Sequence, residues 1–300
     1  MVTRNIVYLC LLILSACAPP TVRVIDRYPN NEKKTVEWVK ERGSSAIVIK
    51  RIDYYTNGQT FSEVLFSNGK MHGDFIQYHP NGRIGSKGEY HSGKKIGKWV
   101  WNDEIGTTDS IHTFKDGLFN GKSEIFISGE LIIRQNYING KLNGKFVEYY
   151  PGGRKKVNGS YLDDIPHNQW VWRLENGSKS RLMNYNRGIK SGKFNVWNNT
   201  ELVQSGSFKN DLQDGLWKWQ HSADHLDSLV NYNNGVLDGS YKVWHDNGSM
   251  SVIGEFLSGK PHGQWEWWSE IEQIDSIKTF SNGLLNGSLM VYYANGQLKR

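Results

Sequence analysis

The chain has 300 residues with a formal charge of +6, and its composition of 32 Gly, 12 Trp and 15 Tyr against only 7 Pro is that of a turn-rich, aromatic-rich β protein. It is too aromatic and too sparsely charged to be disordered. Lys and Arg are spread along the whole length with no basic stripe and no reader motif, which excludes nucleic acid as the expected partner.

Taken in order, the first residues read as an address. Arg4 supplies a positive start, Ile6 to Leu14 an apolar run too short to span a bilayer comfortably, and Leu14-Ser15-Ala16-Cys17 closes it. This resembles the bacterial lipobox. The resemblance implies that residues 1–16 are a lipoprotein signal peptide that is removed. It also implies that Cys17 becomes the lipidated N-terminus and that Ala18 after it directs the protein to the outer membrane of the cell envelope. An ordinary signal peptide or an uncleaved anchor is the alternative. Cys10 and Cys17 are the only cysteines, so the expected mature protein has no free thiol, disulfide or thiolate metal site. Residues 17–27, with Pro19 and Pro20, read as a tether or as a first edge strand, and 28–68 as degenerate hairpin units ending in Tyr-x-x-Asn-Gly words such as Tyr54 to Gly58.

Regular copies occupy 69–300. A Gly-x-x-x-Gly word begins at Gly69, Gly93, Gly117, Gly140, Asp164, Gly188, Asp211, Gly235, Gly259 and Gly283, every interval being 23 or 24 residues. Gly and Asp share a tolerance of positive φ, so the word is expected to be a turn and not a phosphate cradle. His72, His167 and His262 precede the second Gly of three distant copies and are expected to be polar turn residues, too far apart to share a metal.

Between turns the pattern alternates as strands do. Four copies read GEYHSGKKIGKWVW, GSYLDDIPHNQWVW, GSFKNDLQDGLWKW and GEFLSGKPHGQWEW, each ending in Trp-x-Trp. Residues two apart share one strand face, so each pair loads one side of a sheet, while copies with aromatics three apart, such as Phe75 and Tyr78, load both. Asn81-Gly82, Gly152-Gly153, Asn176-Gly177, Asn247-Gly248 and Asn295-Gly296 mark hairpin tips. The first Trp of each pair, at 99, 170, 217 and 265, recurs after 71, 47 and 48 residues. The odd spacing marks a single unpaired unit, which a ring of four-stranded blades would not accept and an open array does. The expectation is an all-β, elongated, open antiparallel meander of ten to twelve hairpins, in which no unit can bury enough surface to fold alone.

These words at this period resemble the bacterial variant of the MORN repeat, as found in YwqK-type antitoxin proteins. The resemblance covers Gly69 to the C-terminus. It implies a non-enzymatic repeat protein that binds another protein, as a scaffold or in an antitoxin or immunity role. The residues themselves show no hydrolase, protease or nucleotide-binding motif, and point to no catalytic, cofactor or metal residue. Trp101, Trp172, Trp219 and Trp267, the second members of the Trp pairs, are the candidate binding surface. The partner is expected to be a protein, with sugar rings of the cell wall as the alternative ligand for the same aromatic side chains.

Overall fold

A computed structural model describes residues 19–42, 45–222 and 224–299, so the signal peptide and the lipidation site at Cys17 lie outside the described residues. The chain is all-β, with 23 strands that follow one another as an open antiparallel meander of about eleven hairpins. It divides into two compact units, the first running to Thr107 with Lys115–Gly117 and the second comprising Thr108–Phe114 and Leu118 onward. In the first, the strands from β1 (Thr21–Arg27) to β7 (Lys94–Asn102) pair in sequence order with one another. Thr21–Arg27, part of the expected tether, is thus the edge strand that was its alternative. In the second, β8 (Thr108–Lys115) precedes β9 (Leu118–Ile127), and from β9 to β23 (Leu284–Val291) pairing is again between sequence neighbours.

One class of connection is a two-residue turn at the first Gly of each word. Both residues have positive φ, as at Ser92 (49°) and Gly93 (83°), which is the primed turn whose twist matches a hairpin. Asp164 (69°) and Asp211 (67°) adopt the same conformation. Each Asp also explains its presence chemically: Asp164 Oδ1 accepts the Leu142 N–H at 2.7 Å and Asp211 Oδ1 the Lys190 N–H at 2.8 Å.

The second Gly departs from expectation. It lies inside a strand, at a bulge, as where Val64 pairs with Phe75 but Phe66 with Met71, leaving Gly73 between them at φ 91°. His72 lies within such a bulge, while His167 and His262 pair with Ser160 and Glu255 at its edge, so all three are strand residues and not turn residues. This position has a job that the turn reading did not supply. Its side chain caps the next turn of the same margin: His167 Nδ1 accepts the Arg187 N–H at 3.2 Å, Asp214 Oδ1 that of Asn234 at 3.2 Å, and Asp238 Oδ1 that of Ser258 at 3.1 Å.

The other class of connection is a five-residue tip carrying the Asn-Gly words. Only its Gly is at positive φ, as in Gly82 (81°), and Gly82 N–H donates to His79 O at 2.8 Å. Tips are tied to the next hairpin of the array. Asn81 Nδ2 donates to Glu104 O at 2.7 Å and Asn247 Nδ2 to Glu270 O at 2.7 Å. Tyr150 Oη donates to Arg173 O at 2.9 Å, and His245 Nε2, 2.8 Å from Trp268 O, must carry its proton there.

The core is made of the first tryptophans. Trp99 and Trp217 are 1% exposed, Trp170 and Trp265 6%. Each lies flat on a glycine of the preceding strand, eleven residues earlier: a Cβ on Gly88, Gly159, Gly206 or Gly254 would sit 2.2–2.3 Å from the indole carbons. The bare backbone lets rings from the two flanking strands meet above it. Phe75 and Trp99, on either side of Gly88, stack at 5.4 Å, while Tyr90 meets the indole edge-on at 5.1 Å. Phe146, Tyr161 and Trp170 repeat that arrangement, as do Tyr241, Phe256 and Trp265. The indole N–H donates to the backbone carbonyl next to the glycine, as from Trp99 to Glu89 at 3.2 Å and from Trp265 to Glu255 at 3.1 Å.

Gly254→Ala forces Trp265 out of its seat and is expected to cost about 1–3 kcal/mol of local stability. Amide hydrogen exchange across Lys260–Trp268 is the measurement, with Asp164→Gly as a turn-compatible control expected within about 0.5 kcal/mol of the parent. A second expectation concerns pH. The Ser258 N–H and the Asn233 amide hold the Asp238 carboxyl below its ordinary pKa. A carboxylate depressed in the folded state stabilises above its unfolded pKa, near 3.9, and loses that contribution as pH falls through the lower folded value. The melting temperature of Asp238→Ala is therefore expected below that of the parent at pH 7 and to converge with it in strong acid.

Candidate functional site

The second tryptophans share the face of the first but sit nearer the tips. Trp101, Trp172, Trp219 and Trp267 are all half-buried. Each leans on its buried partner, with ring centroids 5.7 Å apart for Trp99 and Trp101, 6.0 Å for Trp170 and Trp172, 5.7 Å for Trp217 and Trp219, and 5.9 Å for Trp265 and Trp267. The buried ring thereby fixes the orientation of the accessible one.

In the second unit these indoles belong to a single cross-strand ladder. Trp172 pairs with Arg181, Arg181 with Val196, Val196 with Gln204 and Gln204 with Trp219. From Trp219 the pairing continues through Ser228, Val243 and Val252 to Trp267. Successive tryptophans are thus four strands apart, roughly 19 Å at the usual strand spacing. The ladder brings Trp172, Trp219 and Trp267 into one row, in which Arg181 is the only charge. Trp101 belongs to the first unit, where it pairs with Ser86.

The residue facing each outer indole decides what the ring presents. Ser228 faces Trp219 and Ser276 faces Trp267, so the Asp-Ser tails at 227–228 and 275–276 place a small polar side chain beside a large ring. Arg181 breaks this rule: its guanidinium lies 4.0 Å from the centre of the Trp172 ring. Lys278 Nζ stands 4.7 Å from Trp267, and Lys95 Nζ is 4.2 Å from Trp99 and 4.9 Å from Trp101. Burial among these rings pushes the Lys95 pKa below the ordinary lysine value.

Sequence reasoning named the outer tryptophans but not the cations over them, nor the glycines under their partners. The glycines had a signal, since each opens its motif eleven residues before the first Trp. The cations had none, because cross-strand pairing decides which Lys or Arg meets a ring.

Chemistry elsewhere is sparse. His112 Nδ1 lies 2.8 Å from Ser123 Oγ, but Ser123 is 1% exposed, so this pair has no path to a substrate. The His72 and His91 rings pack at 4.7 Å, and among the described residues no three His, Cys, Asp or Glu side chains gather as a metal site.

No protein-family model and no curated protein sequence matches this chain. Among solved structures it is similar to the crystal structure of TcdB2-TccC3-Cdc42, at 12% identity and a TM-score of 0.20 over 84% of this chain and 17% of that one. The Photorhabdus luminescens Tc holotoxin pore gives 11% identity and a TM-score of 0.15 over 92% of this chain and 15% of that one. The chain spans about one sixth of the length of either. Likenesses this low carry no functional argument.

Trp217→Ala is expected to cost about 3–5 kcal/mol, as truncation of a buried aromatic does. Trp219→Ala, which empties only a half-buried position, is expected to cost less than half as much. Thermal unfolding of the two variants side by side is the measurement.

Proposed function

We propose that this chain is a non-enzymatic, MORN-like repeat lipoprotein, held at the outer membrane of the bacterial cell envelope through lipid on Cys17, and that it binds a protein partner along its sheet. The observation that carries the reading is the ladder from Trp172 to Trp267. Three oriented, half-exposed indoles, with Arg181 over one and Lys278 over another, match what protein interfaces concentrate at their centres, where Trp and Arg are enriched. Rigid strands hold the rings before any partner arrives, so little side-chain entropy is lost on binding. A scaffold and an antitoxin or immunity protein would use the same surface.

The second reading is a wall or carbohydrate binder. Trp219 favours it, because Gln204 and Ser228 flank the ring with hydrogen-bonding groups. Against it, the cations over Trp172 and Trp267 occupy the space a sugar ring needs.

Affinity purification of the anchored protein from solubilised membranes tests both. The expected result is a stoichiometric protein partner that Trp219→Ala together with Trp267→Ala loses, with Cys17→Ala moving the array out of the membrane fraction. Recovery of no protein above control, with sedimentation of the array on insoluble peptidoglycan, would transfer the assignment to the carbohydrate reading.

A further inference from the structure

On the face opposite the ladder, the strands Met250–Leu257 and Lys260–Trp268 and the tip that follows them enclose a hollow of about 340 Å³, lined by Met250, Ile253, Glu266, Trp268 and Glu272. Its size is at the lower end of small-ligand sites, about 300–1,000 Å³. Ile253 and Glu266 pair across the two strands and form its floor. A second hollow of about 480 Å³ shares those two residues and adds Glu255 and Gln264, with Lys242 as its one cation.

Two features mark this place. The Asn-Gly tips put glycine at the left-handed position, as at Gly82, Gly248 and Gly296, but this tip puts Glu272 there at φ 61°. An ordinary side chain in that region is strained, and here it belongs to a glutamate that lines the hollow. The hydrogen bonding is also incomplete: beside Glu272, Gln273 Oε1 is a buried acceptor without a partner, which a cationic donor would satisfy. Neither Glu266 nor Glu272 is ion-paired, and Glu266 accepts only the Gln264 amide, at 2.8 Å.

An indole wall, a methionine, an isoleucine and two unpaired carboxylates suit a flat cation on an apolar stem. We propose that this hollow takes an arginine side chain from a partner protein. The guanidinium stacks on Trp268 and is bound by Glu266 and Glu272, while its methylenes lie on Met250 and Ile253. A lysine ammonium, compact and strongly hydrated, has no planar face for the indole. A divalent cation needs an oxygen-rich cage, which the apolar walls do not offer. The inference rests on the reading that the partner is a protein, but its test does not.

The test titrates the full array with the peptide acetyl-Gly-Gly-Arg-Gly-Gly-amide while following the indole N–H resonance of Trp268, assigned by Trp268→Phe. A saturable shift with millimolar affinity is expected, weakening at least threefold in Glu266→Gln and in Glu272→Gln and vanishing with citrulline in place of arginine. Glu272→Gly restores the residue of the other tips. It is expected to keep or raise the melting temperature while losing peptide binding, which separates a binding role from a folding one. The proposal is overturned if the arginine peptide leaves the resonance in place, if citrulline or lysine binds as well, or if the glutamate variants bind unchanged. Were the membrane purification to recover no partner, the titration would still decide the hollow. Were it to recover a partner that Glu266→Gln and Glu272→Gln hold as well as the parent does, the hollow would fall and the protein-binding reading would stand.

Discussion

The contact on which this structure depends is an indole ring lying on a glycine of the neighbouring strand. A single layer of sheet has no second layer to bury its aromatics against, so burial must come from rings reaching along the sheet. Gly88, Gly159, Gly206 and Gly254 make that possible by leaving a gap in the pleated surface, into which Trp99, Trp170, Trp217 and Trp265 lie flat. Rings from the strands on both sides then close over the backbone. Glycine inside a strand ordinarily weakens it. Here the loss is offset by a fully buried indole whose N–H is satisfied by a backbone carbonyl.

The same contact explains why the array repeats in hairpins. Each cluster needs three consecutive strands: one carrying the stacked aromatic, one the glycine, one the tryptophan. No hairpin holds all three, so a hairpin is complete only with its neighbour. The connections reinforce this dependence, since tips donate to the carbonyls of the next tip and bulge residues cap the next turn. Stability therefore spreads by nearest-neighbour terms, as in other repeat arrays.

This division also decides what the sequence could disclose. Period, strand alternation and turn chemistry are local, and so the meander, the positive-φ turns and the tolerance of Asp164 and Asp211 were legible before any coordinates. The second glycine was misread as part of the turn because a bulge and a turn demand the same positive φ, and only the pairing partner tells them apart. The outer tryptophans were legible as a face, but not as a ladder confined to Trp172, Trp219 and Trp267. Arg181 over Trp172 was invisible for a related reason: the two residues meet through register, which no single strand encodes.

A repeat makes departures informative. Residues that recur from copy to copy, the turn glycines in most copies and the buried tryptophans in four of them, are accounted for by folding alone. Function is then to be sought where a copy abandons the shared solution at some local disadvantage. Arg181 replaces the serine that faces other outer indoles and turns one ring into a cation-covered one. Glu272 stands at positive φ where the Asn-Gly tips have glycine, and it lines the same hollow as Trp268. Arg181 gains a cation–π contact within the sheet, Glu272 gains no ion pair there, and both change what the sheet offers to another molecule. Consistency between local preference and fold is what specifies a structure, so a residue that breaks it without a structural gain is the strongest indication of a surface shaped for something outside the chain.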